Sequence, residues 1–155
     1  MKSRDLYTSL ARQALENYMK TGQVQGMAEC SSGLSNLQEK QACFVTIYKN
    51  GELRGCMGTI EPTQENLGQE IIQNSVRAGT MDSRFLPVTA EEMPYLEYAV
   101  DILKQPEIIY TAEGYNVKDY GIIVMKNGRT GLLLPNMDGV QTPAEQLGIA
   151  LGKAG

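Results

Sequence analysis

An arginine and a cysteine, Arg54 and Cys56, stand two positions apart in a stretch that is otherwise typical of a β-strand. Alternate residues of a strand point to the same face and lie about 6.5–7 Å apart, so these two side chains would be neighbours. A guanidinium at that distance favours the thiolate and lowers the pKa of a cysteine. The pair therefore predicts a catalytic thiol site, with Cys56 as nucleophile and Arg54 lowering its pKa or holding an anionic substrate.

A structural role for the same cysteine is also open from the residues alone. Free cysteine is among the most buried residue types, and Val45 and Ile47 share the face predicted for Cys56. The nearby glycines, Gly55 and Gly58, weaken a strand and usually mark a bulge or a close backbone approach. We interpret them as positions at which a ligand or another chain reaches the backbone.

The sequence contains no histidine, and its three cysteines, Cys30, Cys43 and Cys56, have no CxxC spacing. The missing histidine excludes Ser-His-Asp and Cys-His catalysis in this chain, and it also excludes the usual histidine-based zinc and iron sites. Phosphate-binding loops, HExxH motifs and the cysteine spacing of radical SAM clusters are absent as well. We therefore expect no metal site and no cofactor.

The bulk composition is that of an ordinary globular protein with a slightly acidic balance. The chain has 155 residues, a net charge of −4 and no run of lysines and arginines. Nucleic-acid and anionic membrane surfaces need clustered positive charge, so neither partner is expected. No segment approaches the ~20 apolar residues of a membrane span, and no secretory signal is visible. These features predict a cytoplasmic protein.

The candidate site lies in a predicted β-hairpin over residues 44–60, in which two apolar, β-branched runs flank Asn50-Gly51. Asn-Gly is the strongest short-range hairpin signal. A two-residue turn would place Val45 opposite Cys56 and would make Cys43 a diagonal neighbour of Cys56. On that register an oxidant-formed disulfide between the two cysteines is geometrically possible, although a cytosolic setting disfavours it.

Periodicity and turn signals place the remaining elements around this hairpin. They predict a helix over 4–20, an irregular segment over 21–42, a helix to residue 80 with Thr63 as N-cap, a strand over 98–103, a hairpin over 121–134 and a helix that begins at 142–145. This order predicts an α+β fold in a single domain, 1–155. Its mainly antiparallel sheet is built from two hairpins plus a further strand, with helices packed on it.

A loop with alternating charges follows the second predicted helix. Asp82 and Arg84 either pair with each other or reach Arg54 and the hairpin, and both interpretations fit the spacing. An exposed ion pair of this kind is typically worth ~0–1 kcal/mol. Phe85 is predicted to be a buried aromatic, whereas Glu91-Glu92 are predicted to be solvent-facing charges.

Several separated motifs resemble those of one known family. Leu53-Arg54-Gly55-Cys56-Met57-Gly58 is similar to the LRGC-I-G hexapeptide that is the hallmark of the AMMECR domain family. Further matches lie at 82–87, 100–103 and 128–135, so the resemblance covers nearly the whole chain. Met57 replaces the usual isoleucine, and Ser83 stands where family members usually have proline.

The resemblance implies an α+β fold with a larger and a smaller subdomain. It also implies that the protein acts with a Memo-like (extradiol-dioxygenase-like) protein and a radical SAM enzyme. A catalytic or recognition site is implied at the hexapeptide, whose residues besides Arg54 and Cys56 are Leu53, Gly55, Met57 and Gly58, here assigned a binding role. We also predict a binding role for Asp82, Arg84 and Phe85 beside it. The family continues past Lys-Ala-Gly, so a further C-terminal segment is expected.

Three hypotheses for function follow. The first is a non-catalytic binding component that presents Arg54 and Cys56 to a partner or its substrate, and the missing histidine favours it. The alternative is a thiol-dependent enzyme with Cys56 as nucleophile. In the third, the hairpin is itself modified by the partner radical enzyme.

Overall fold

The computed structural model describes residues 2–26 and 35–155, which form two compact units, 1–105 and 106–155. Cys30 and part of the predicted irregular segment lie outside the described residues. Within the described ranges, no helix is both long and apolar enough to cross a membrane. The larger unit contains every residue of the candidate site.

The larger unit is built on a three-stranded antiparallel sheet. Its strands are β1 (Ala42–Lys49), β2 (Glu52–Gly58) and β3 (Leu96–Leu103), in the order β2-β1-β3. Asn50 and Gly51 join β1 to β2 with φ angles of 53° and 78°, as a type I′ turn requires. The predicted hairpin and the predicted third strand are therefore confirmed.

Two helices pack on one face of this sheet, α1 (Lys2–Thr21) and α2 (Leu67–Thr80). The core forms where their apolar positions meet the inward-facing residues of β1. Its fully buried members include Ala14, Leu15, Val45, Ile47, Ile71 and Ile72. The α+β class predicted from the sequence is confirmed.

The start of α2 differs from the prediction. Its N-cap is Asn66, whose side chain accepts a hydrogen bond from the Gln69 amide at 2.8 Å, so the prediction of Thr63 as the cap is wrong. Thr63 instead donates its amide (2.9 Å) and its hydroxyl (2.7 Å) to the buried carboxylate of Glu70. Thr63 is thus bound to Glu70 and lies before the helix, which begins at Leu67, about one turn after the predicted start.

The register of the first hairpin also differs from the prediction, because β2 contains a β-bulge. Tyr48 faces Leu53 as a two-residue turn requires, but Ile47 then faces Gly55, and Arg54 is the extra residue. A bulge moves every following side chain to the other face of the sheet. The predicted pairing of Val45 with Cys56 is therefore wrong, and Thr46 faces Cys56 instead.

The bulge separates the two described cysteines. Cys43 is fully buried in the core cluster beneath the helices, whereas Cys56 lies beside Thr46 on the opposite face of the sheet. Both cysteines are free. The predicted diagonal relationship is wrong, and with it the possibility of a disulfide between them.

The smaller unit contains the second hairpin and the last helix. Strands β4 (Ile122–Lys126) and β5 (Arg129–Leu133) form a separate two-stranded sheet, and α3 (Pro143–Ala154) packs on it. Thr142 caps α3 by accepting a hydrogen bond from the Glu145 amide at 3.2 Å. The predicted elements are confirmed, and the two hairpins belong to two sheets.

Candidate functional site

Arg54 reaches from the bulge of β2 to the loop of residues 82–92, called the 82–92 loop below. Its guanidinium binds the carboxylate of Glu92 at two points, Nε to Oε1 at 2.9 Å and Nη2 to Oε2 at 3.1 Å. Its third nitrogen, Nη1, donates to the carbonyl of Leu86 at 2.9 Å. The side chains of Arg54 and Glu92 are only 16% and 14% exposed, so the pair is shielded from solvent.

Glu92 is the residue of this site that sequence reasoning missed. It was predicted to face solvent, but it also accepts hydrogen bonds from Lys49 Nζ at 3.1 Å and from the Thr89 amide at 2.8 Å. The hydrogen bond from Arg54 is the main reason that the pKa of Glu92 is lowered to about 2. The sequence feature that could have indicated a buried carboxylate was Arg54, because an arginine in a strand that packs against the fold is usually paired with an acidic side chain.

Asp82 holds the backbone of β2 at the other end of the loop. Its Oδ2 accepts the amide of Cys56 at 3.0 Å, and the carboxylate also binds Arg84 through Nη2 at 2.7 Å and Nε at 3.0 Å. The hydrogen bond from Arg84 is the main reason that the pKa of Asp82 lies well below its usual range. Asp82 therefore pairs with Arg84 and reaches the hairpin at the Cys56 amide, whereas Arg54 binds Glu92 instead.

The thiol of Cys56 is half-buried, and its Sγ lies 3.2 Å from Oγ1 of Thr46. Burial raises the pKa of Cys56, an effect only partly opposed by the Thr46 hydrogen bond and by the positive charge of Arg84. The expected lowering of this pKa by Arg54 is wrong. Because Arg54 is bound to Glu92 and Leu86, the cation that acts on the thiol is Arg84.

The ring of Phe85 lies near both Arg54 and Arg84. Its ring centroid is 5.9 Å from Cζ of Arg54 and 5.5 Å from Cζ of Arg84, within the range of cation–π attraction. Phe85 is half-buried. Its contacts join the Arg54–Glu92 pair and the Asp82–Arg84 pair into one cluster on the 82–92 loop.

The two glycines of the hexapeptide allow close packing inside the unit. A Cβ on Gly55 would overlap the backbone carbonyl of Ala78 in α2, and one on Gly58 would overlap Cys43 and Phe44 of β1. The predicted close backbone approach is therefore confirmed, but the approaching groups are α2 and β1 of this chain and not a ligand. Their missing side chains let α2 and β1 approach β2.

The remaining residues of the hexapeptide differ in exposure. Met57 is half-buried against the core cluster that contains Ile47 and Ala78, whereas Leu53 is exposed. The structure thus brings Arg54, Cys56 and the 82–92 loop together, while Met57 faces the core. Among the described residues, no group of three or more histidine, cysteine, aspartate or glutamate side chains is placed to hold a metal ion.

Comparison with known proteins assigns the chain to a family. The model of the AMMECR1 family matches residues 8–155. A protein of Thermotoga maritima is 43% identical over 150 residues, which cover 96% of this chain and 86% of that protein. The crystal structure of an uncharacterised protein from Pyrococcus horikoshii matches with a TM-score of 0.88 and 31% identity, over 97% of this chain and 78% of that one.

A longer relative comes from Clostridium acetobutylicum. It is 41% identical over 155 residues, which cover 99% of this chain but only 32% of that protein. The chain thus spans about a third of the length of this relative. The family match and these identities lead to one conclusion: the chain belongs to the AMMECR1 family.

Proposed function

We propose that this chain is a binding or adaptor component that acts with a Memo-like protein and a radical SAM enzyme. The hairpin that carries Arg54-Gly55-Cys56, together with the 82–92 loop, forms its binding surface. One observation carries this proposal: Arg54 and the amide of Cys56 are both engaged in holding the loop. Residues of the hexapeptide hold the 82–92 loop in one conformation, and the exposed side chains of that loop are the ones available to a partner.

The contacts of Arg54 favour a binding role over a catalytic one. Its guanidinium is bound by the Glu92 carboxylate and the Leu86 carbonyl, so an anionic substrate would have to displace Glu92. Such a two-point pair between shielded side chains is held more strongly than an exposed one. Arg54 is therefore better suited to fixing the loop than to holding a substrate.

The thiol of Cys56 also supports a binding role. The thiolate is the nucleophilic form of cysteine, and burial raises the pKa of Cys56, which keeps the thiol protonated at neutral pH. With no histidine in the chain, the usual general base for a thiol is missing as well. A partner that supplies the chemistry accounts for both observations.

The identity of the partners rests on the family resemblance. The length of the Clostridium relative supports a cooperative role, because there the same domain is joined to about twice its own length of additional chain. Domains that act together on one task are often joined in one polypeptide in some organisms. The Memo-like protein and the radical SAM enzyme are therefore the first partners to test.

Isothermal titration of this chain with each purified partner from the same genome tests the proposal. We expect wild-type protein to bind at least one partner with a Kd below ~10 µM. Arg54→Ala should weaken that binding because it releases the loop, whereas Arg129→Ala, which removes an exposed arginine of the smaller unit, should not. Absence of binding by the wild-type chain to either partner, alone or together, would overturn the proposal.

A thiol-dependent enzyme with Cys56 as nucleophile is the second candidate. The observation in its favour is the charge of Arg84, which acts on the half-buried thiol and opposes the effect of burial on its pKa. This function requires that Cys56 react as a thiolate at neutral pH. It also requires that Cys56→Ser abolish an activity while leaving partner binding intact.

A further inference from the structure

The exposed apolar side chains of the larger unit are concentrated at the 82–92 loop. Leu86 in the loop is 83% exposed, and Met81 and Tyr95, which flank the loop, are 62% and 63% exposed. Elsewhere in the described part of this unit, no large apolar side chain exceeds 40%. Single exposed apolar residues are common on protein surfaces, so exposure needs a second observation before it indicates a contact.

The second observation is that the backbone before and after Leu86 is fixed by hydrogen bonds. The carbonyl of Leu86 accepts Nη1 of Arg54 at 2.9 Å, and the amide of Phe85 donates to the Asp82 carbonyl at 3.0 Å. Two residues later, the amide of Val88 donates to the Gly79 carbonyl at 2.8 Å. Pro87 between them fixes its own φ. An exposed leucine on an anchored backbone loses little backbone conformational entropy when it is bound.

A directed positive charge lies next to this leucine. The side chain of Arg84 is 57% exposed, and Asp82 binds its Nε and Nη2. In the part of the chain that the structure describes, Nη1 of Arg84 has no hydrogen-bond partner. Asp82 and the ring of Phe85 fix the direction of the guanidinium, so Nη1 is a preoriented donor for an external carboxylate.

We propose that Arg84 and Leu86 are the residues that contact the partner, and that the partner offers an apolar pocket with a carboxylate at its rim. This inference rests on the proposed binding function and names the chemistry of that same surface. Arg54 and Glu92 act through the loop, because their side chains are shielded and bind each other. Binding energy at protein interfaces is concentrated in a few residues, among which arginine is enriched.

The deciding variant is Leu86→Ser, because the exposed side chain is removed while the carbonyl that binds Arg54 is kept. We expect it to raise the Kd for the bound partner by ~10-fold or more and to leave thermal stability unchanged. Leu151→Ser is the matched control, since Leu151 is an exposed leucine of the smaller unit, and its Kd should equal that of the wild type. The titrations use the purified Memo-like protein and radical SAM enzyme.

A second variant tests the charge. Arg84→Gln should also raise the Kd by ~10-fold, and it should reduce the salt dependence of binding, because the lost contact is an ion pair at the rim. Arg129→Gln in the smaller unit is the control for the loss of one positive charge, and its Kd should equal that of the wild type. An Arg84→Gln protein with unchanged Kd and unchanged salt dependence would overturn the inference.

The two proposals fail in different ways. If wild-type protein binds neither partner, the binding function is overturned and this inference falls with it. If wild-type protein binds but Leu86→Ser binds equally well, the binding function stands and the inference is overturned. If sedimentation velocity instead shows a homodimer that Leu86→Ser dissociates, a second copy of this chain occupies the surface, and the inference is again overturned.

Discussion

The carboxylate of Glu92 binds the guanidinium of Arg54 through two parallel hydrogen bonds of 2.9 and 3.1 Å. The two residues are 38 positions apart in the chain, so this ion pair fixes the 82–92 loop to the hairpin. Both side chains are largely shielded, and removal of either leaves the other charge without its main partner. Arg54 of the family hexapeptide thus stabilises the conformation of a loop that is distant in the sequence.

The first prediction concerns the stability that this pair contributes. Arg54→Ala should lower the free energy of unfolding by about 1–3 kcal/mol, because it leaves the shielded carboxylate of Glu92 poorly compensated. Lys49→Ala is the matched control, since Lys49 binds the same carboxylate but is 36% exposed, and it should cost about 0–1 kcal/mol. Urea denaturation measures both values. Equal effects of the two substitutions would contradict this account of the pair.

The second prediction concerns acid stability. The pKa of Glu92 is lowered to about 2 in the folded protein, whereas an unfolded glutamate titrates near ~4.3. The folded state therefore favours the ionised form, and the stability that this contributes is present above about pH 5 and is lost as the pH falls towards 2. Asp82, whose pKa is also lowered, adds to the same loss.

Glu92→Gln isolates this contribution. The difference in unfolding free energy between wild type and Glu92→Gln should be largest above about pH 5 and should shrink as the pH falls towards 2. Urea denaturation at a series of pH values from 7 to 3 measures the difference. A difference that stays constant over this range would mean that Glu92 has an ordinary pKa.

The third prediction concerns the glycine at the bulge. Gly55→Ala should lower the unfolding free energy by about 1–3 kcal/mol, because the new Cβ would overlap the carbonyl of Ala78 and push α2 away from β2. Gly148→Ala is the control. Its Cβ would meet nothing within 4 Å inside α3, so this substitution should stabilise the protein by about 0.5–1 kcal/mol. A neutral Gly55→Ala would contradict the close approach.

Local sequence signals predicted much of the fold. The two Asn-Gly turns, with positive φ at both residues, set the hairpins, and Thr142-Pro143 set the start of α3. These features depend on neighbours in the chain, so the sequence contains them directly. The helical periodicity of α1 and α2 belongs to the same class.

The features that escaped prediction depend on contacts between distant residues. The bulge at Arg54 is linked to the approach of Ala78 to Gly55, and the burial of Glu92 depends on Arg54. The N-cap of α2 moved because Glu70 binds Thr63. In the candidate site, the sequence indicated that Asp82 could reach the hairpin, which it does at the Cys56 amide, but it did not reveal that Arg54 binds Glu92.

The central claim that Cys56 belongs to a fixed surface and is not an activated thiol is tested most directly by the rate of Cys56 alkylation by iodoacetamide as a function of pH, followed by peptide-resolved mass spectrometry. Burial raises the pKa of Cys56, and that of Cys43 to about 12, so Cys43 serves as an internal control for a closed core. If the hexapeptide fixes a binding surface, Cys56 should react slowly at pH 7, with a midpoint above the ~8.5 of free cysteine. Rapid reaction at neutral pH, with a midpoint well below that value, would identify an activated thiol and contradict the account.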